Sequence, residues 1–156
     1  MEEKPEQDNL FELVSVEDDF QHLPSKAICK EIIKEKTLTI PKQKPKVEQL
    51  SKTLIKPSIT SHKTICTPEG FKVIIQGKVT EKVFYVADKP EQSVHAAKFC
   101  FPFCTFIKLP KKTNIKDIKV KAEDVIIQLI DQKKINKCVL LCICAIPEKN
   151  IKHCDC

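Results

Sequence analysis

Arginine is absent from this chain: all 27 basic residues are lysine. Arginine supplies the planar, bidentate fork used to read bases and clamp phosphates. Its absence argues against a nucleic-acid partner, even though the net charge is +6. Glycine is nearly absent as well. Only 2 glycines stand beside 10 prolines, which excludes a flexible glycine-rich chain and fits long strands joined by a few rigid turns. No apolar run approaches the ~20 residues of a membrane span. Met1-Glu2-Glu3-Lys4 leads into acidic and polar residues, without a basic n-region and an apolar core. That opening predicts synthesis in a cytoplasm with no secretory leader. G-x-S-x-G, P-loop and H-E-x-x-H motifs are missing, so the chain reads as a non-enzyme with no cofactor.

What is present is patterned. Hydrophobic residues make up 42% and charged residues 31%, a balance that builds a core rather than a disordered polymer. From Phe71 to Ala87, the apolar Phe71, Val73, Ile75, Val79, Val83, Tyr85 and Ala87 occupy odd positions, against mostly polar even ones. This is the period of a half-buried strand. Glu81 interrupts the apolar row, and Gly77 predicts a bend or bulge. Thr67-Pro68-Glu69-Gly70 suits a type I turn ahead of the strand. After Lys89–Gln92 the alternation resumes through His95, Ala97, Phe99, Phe101, Phe103 and Ile107. A lone histidine in such a row reads as a hydrogen-bonded core or rim residue.

The remaining segments follow the same rule. Pro57 marks the 47–66 stretch as an edge strand or a bulged one. Pro110–Asn114 is a surface turn and Asp131–Lys134 a hairpin. Residues 135–146 are apolar on both faces, which predicts a strand central in the domain or covered by another chain. Residues 27–40 fit an amphipathic helix or a strand equally well. The expected architecture is an all-β antiparallel sandwich over residues 37–147, an N-terminal arm over 1–36 and a short Cys-bearing tail over 148–156.

The run VIIQGKVTEKVFYVAD, followed by QSVHAAKF and FPFCTFI, resembles the SPOCS domain of clostridial spore-envelope assembly proteins. The approach IPKQKPKVEQL (Ile40–Leu50) is similar to the lead-in of that family. The resemblance implies a structural or scaffold role in the endospore envelope. Family members often carry a peptidoglycan-binding LysM module, and none follows here. A stand-alone, self-assembling building block of coat, exosporium or appendage fibre is therefore expected. Its partners would be copies of itself and other spore-envelope proteins. It would be made in the mother cell and end in the spore surface layers. A non-polymerising adapter that recruits other coat proteins is the alternative; a zinc- or redox-active thiol protein is the second.

Nine cysteines are many for a reduced compartment, and the odd number leaves at least one without an internal partner. Either the cysteines bind metal or do chemistry, or the protein later meets an oxidising medium, as the spore-envelope resemblance implies after mother-cell lysis. Cys154 and Cys156 in the tail, with Cys29 in the arm, are the candidates for an intersubunit disulfide. Cys66, Cys100, Cys104, Cys138, Cys142 and Cys144 are the other disulfide candidates. Cys100 and Cys104 lie four residues apart on one strand face, ~13 Å between Cα atoms, too far to bond each other. Cys138 and Cys142 are in the same position. Free cysteine also packs as a small core residue, and Cys138, Cys142 and Cys144 fit that use. Zinc would require paired knuckles that strands do not provide, so no metal is expected.

Overall fold

The computed structural model of the chain describes residues 12–15 and 23–148. These form seven strands and no helix: β1 Glu12–Ser15, β2 Ile28–Thr39, β3 Val47–Thr67, β4 Gly70–Ala87, β5 Val94–Lys108, β6 Ile115–Asp131 and β7 Lys134–Pro147. Two sheets result. Sheet A has the order β1-β3-β4-β5 and sheet B the order β2-β7-β6. The short β1 runs parallel to β3, and every other pairing is antiparallel. The chain is thus an all-β sandwich, as its alternating pattern predicts.

Residues 28–36, expected in the arm, belong to the sandwich. The register Ile28↔Ala145 through Thr39↔Lys134 makes them an edge strand of sheet B. The extended reading of 27–40 holds because alternate residues of β2 face the core, ending at the buried Leu38. β7 lies between β2 and β6, so the strand that is apolar on both faces is central in its sheet.

The core forms where the odd rows meet. Val73, Ile75 and Val79 of β4 and Phe101, Phe103 and Ile107 of β5 pack against Ile118 and Ala122 of β6 and Val139, Leu141 and Ile143 of β7, all buried. Each such side chain contributes about 1.5–3 kcal/mol on leaving water. A second cluster at one pole gathers Leu38, Ile40, Val47, Tyr85, Ala87 and Ile135. There the connector Pro41–Lys46 is strapped down. Val47 N–H donates to Gln132 O (2.8 Å) and Ile40 N–H to Lys133 O (2.7 Å), while the Tyr85 hydroxyl donates to Pro45 O (3.0 Å). Lys133 adds its ammonium to the carbonyls of Pro41 and Lys44.

Two local devices match their residues. Gly70 has φ +116, a conformation that side chains resist, and it closes the β3–β4 turn with Thr67 Oγ1 donating to its carbonyl at 2.9 Å. Gly77 faces a register shift between Ile59 and Ser61. A Cβ there would lie 2.5 Å from the Ser58 carbonyl oxygen and strike the Phe103 ring. The ring occupies the space that the missing side chain leaves.

Candidate functional site

Two constellations stand out, one inside the sandwich and one on its surface. Inside, Glu81 of β4 and Lys137 of β7 are both fully buried, with Lys137 Nζ 2.6 Å from Glu81 Oε2. The Thr53 hydroxyl of β3 donates to Glu81 Oε1 at 2.9 Å. Lys137 Nζ also lies over the Phe101 ring, 3.1 Å from its centroid. Beyond the ion pair, Glu81 Oε2 and Lys137 Nζ have no hydrogen-bond partner among the described residues. Burial pushes the Lys137 ammonium below its usual lysine range, and the Glu81 carboxylate opposes that. The pair ties the two sheets together at mid-core. Such a pair adds little net stability against an apolar replacement, but it strongly penalises any packing that separates its halves. The sequence does signal it: Glu81 and Lys137 are the charged residues on the inward rows of β4 and β7.

On the surface the sulfurs gather on the outer face of sheet B. Cys29 of β2 and Cys144 of β7 stand directly opposite each other and form a disulfide. Cys29 was expected to pair with the tail; in this structure Cys144 takes that place, because the two share one register position on neighbouring strands. Cys144 is fully buried and Cys29 exposed. The Cys142 sulfur lies 3.8 Å from that of Cys144 on the same strand face. Burial pushes the Cys142 thiol up, and the Glu123 and Glu31 carboxylates add to this, against Lys121. Cys138 is a half-buried free thiol further along β7. Cys154 and Cys156 lie outside the described residues.

Cys100 and Cys104 are exposed free thiols on the opposite outer face, that of sheet A, where they oppose Thr80 and Gln76. Cys66 is exposed and free near the β3–β4 turn. Among the described residues no three His, Cys, Asp or Glu side chains gather as a metal site. Nor is any described helix long and apolar enough to cross a membrane. His95 hydrogen-bonds Ser93 Oγ at 2.9 Å and stacks on Tyr85, the rim role expected of it.

Open strand edges complete the surface. β1 covers β3 only over Lys52–Ile55, so β3 has no neighbour on that side from Lys56 onward among the described residues. Alongside it, a groove of about 540 Å³ runs between Lys56–His62 of β3 and Asp117–Val120 of β6. The outer face of sheet B also presents Ile33, Ile126 and Ile130, each more than half exposed.

The SipL family, SPOCS domain, matches residues 46–130. The chain belongs to the SPOCS domain family. That family is spore-associated. No curated protein and no solved structure matches the chain. The SPOCS match begins at the start of β3 and ends in β6. It contains Glu81, Cys66, Cys100 and Cys104. β2 and β7 lie outside it, and with them Lys137 and the Cys29–Cys144 pair. The SPOCS segment therefore supplies β3, β4 and β5 of sheet A and β6 of sheet B, and the flanking β1, β2 and β7 complete the two sheets.

Proposed function

We propose that this SPOCS protein is a self-assembling structural subunit of the bacterial endospore envelope, stabilised by disulfides between copies. One observation carries the reading: three exposed thiols, Cys66, Cys100 and Cys104, have no disulfide partner among the described residues on a sandwich with an open β3 edge. Cys100 and Cys104 lie on the outer face of sheet A, and Cys138 and Cys142 on that of sheet B. Charge supports contact between these unlike faces. Lys78, Lys82 and Lys98 are exposed on the first, and β2 places the exposed Glu31 and Glu35 on the second. A contact between two different faces propagates as a filament or layer wherever its rotation does not close a ring. The open β3 edge offers backbone hydrogen bonds for strand addition. Cys154 and Cys156 would add links from the tail. Synthesis in the mother cell and deposition in the spore surface layers complete the proposal, with other envelope proteins as further partners.

The groove beside the β3 edge favours a second reading, an adapter that takes an extended segment from a different envelope protein. Electron microscopy and non-reducing gels of purified, air-oxidised protein separate the two. The subunit yields large species that dissolve on reduction. A monomer unaffected by concentration and oxidant would refute self-assembly and leave the adapter.

A further inference from the structure

The structure assigns a thiol–disulfide exchange site to Cys29, Cys144 and Cys142, whose substrate is a thiol. This inference does not depend on polymerisation. Its geometry is directional. Cys29 is the exposed half of the disulfide, and it lines a groove of about 370 Å³ with Ile28, Lys30, Phe106, Ile107 and Lys108. Lys30 is held there by its bond to Phe106 O at 2.9 Å and its position over the Phe106 ring. Cys144 is the buried half, closed to attack from solvent.

The step balances without an oxidant. The entering thiol loses its proton to water, and its sulfur attacks Cys29 Sγ. A bond forms between these two sulfurs as the Cys29–Cys144 bond breaks. Cys144 departs with the electron pair as a thiolate and takes up a proton from water, in place of the one released. One disulfide and one thiol are consumed, and one of each is made.

Cys142 is a positioning residue in this scheme. Its sulfur is 3.8 Å from the departing Cys144 sulfur, close enough for an S–H···S contact. Burial first, then Glu123 of β6 and Glu31 of β2, keep the Cys142 proton on, against Lys121. A thiol that holds its proton cannot be the nucleophile. It can donate to the new Cys144 thiolate. Lys119, opposite Cys144 on β6, places a cation on the same side.

The test uses the full oxidised chain. Cysteamine is added without oxygen, the reaction is quenched with acid and N-ethylmaleimide, and peptides are mapped by mass spectrometry. The expected product carries cysteamine on Cys29 and maleimide on Cys144. Adducts on Cys144, or an intact disulfide after prolonged exposure of folded protein, would overturn the assignment. Cys142→Ala should slow the exchange about tenfold to a hundredfold, the worth of one hydrogen bond to a charged group. Cys142→Ser restores a donor and should recover most of the rate. An alanine variant as fast as the native chain removes Cys142 from the site. A parallel arm mixes ¹⁵N-labelled and unlabelled chains. Isotope-mixed peptides joining Cys29 of one copy to Cys66, Cys100 or Cys104 of another assign the thiol to a second copy. Reaction with cysteamine alone assigns the site to small thiols, and reaction with neither refutes it.

Discussion

Consider the replacement of Lys137 by methionine. The side chain keeps its length and its seat against Phe101, and loses only the charge. Glu81 Oε1 still accepts from Thr53, but Oε2 is left buried at zero exposure with no counter-ion. Breaking one half of a buried pair costs about 3–5 kcal/mol, and a domain this size has only about 5–15 kcal/mol in all. Lys137→Met should therefore lose much of its stability, and Glu81→Gln should fall nearly as far because it strands the ammonium. The double variant Glu81→Leu/Lys137→Met removes both charges and should regain native stability to within about 1–2 kcal/mol, since replacement of a whole buried pair by apolar groups is often neutral. The assay is urea unfolding followed by far-ultraviolet circular dichroism, with the disulfide intact in every sample. Glu81→Leu completes a double-mutant cycle; with singles costing about 3–5 kcal/mol each and the double about 1–2 kcal/mol, the expected coupling is at least about 4 kcal/mol. Single variants that cost under about 1 kcal/mol, or a double whose loss equals the sum of the singles, would refute the reasoning.

Four further outcomes follow from the same geometry. Gly77→Ala should cost about 1–3 kcal/mol by overpacking, because its Cβ meets the Ser58 carbonyl and the Phe103 ring; an unchanged urea midpoint would contradict this. Cys144→Ser removes a cross-link spanning 115 residues and should cost about 2–4 kcal/mol, read from the same unfolding curves under non-reducing conditions. Burial lowers the Lys137 pKa below 10.5, so just under that pH the unfolded chain binds more protons than the folded one. Stability attributable to this group should then rise with pH up to about 10.5; a flat difference between native and Lys137→Met profiles from pH 8 to 10.5 would show otherwise. A chain cut to residues 46–130, the span matched by the SPOCS domain, lacks β2 and β7 and leaves Glu81 unpaired. It should give a disordered circular dichroism spectrum, whereas residues 23–148 should fold.

The elements were legible wherever one face met water. β4 and β5 keep strict alternation, so their buried rows can be read residue by residue, down to Phe101 and Phe103. The β6–β7 hairpin was equally plain, because Asp131–Lys134 separates two β-rich runs. β2 was ambiguous because Ile28, Ile32 and Ile33 satisfy a helical spacing, and only the pairing to β7 decides between the two periods. That pairing is a contact across more than a hundred residues of sequence, which local pattern cannot carry. The cysteines show the same limit. Strand spacing correctly separates Cys100 from Cys104, while the opposition of Cys29 and Cys144 appears only once the register is known. Glu81 was visible as a charge in an apolar row, Lys137 was passed over in a stretch read as apolar on both faces, and nothing local says that they meet.

The way β2 lies beside β7 has one more consequence. Ile28 stands opposite Ala145 at the pole where Pro147 pairs with Ile115, far from the strapped Gln132–Lys133 turn. The continuous stretch 23–148 therefore begins and ends at that pole. The sandwich thus has a bow and a stern: one end sealed by backbone hydrogen bonds across the Gln132–Lys133 turn, the other holding both limits of that stretch. Copies laid end to end would meet through unlike tips.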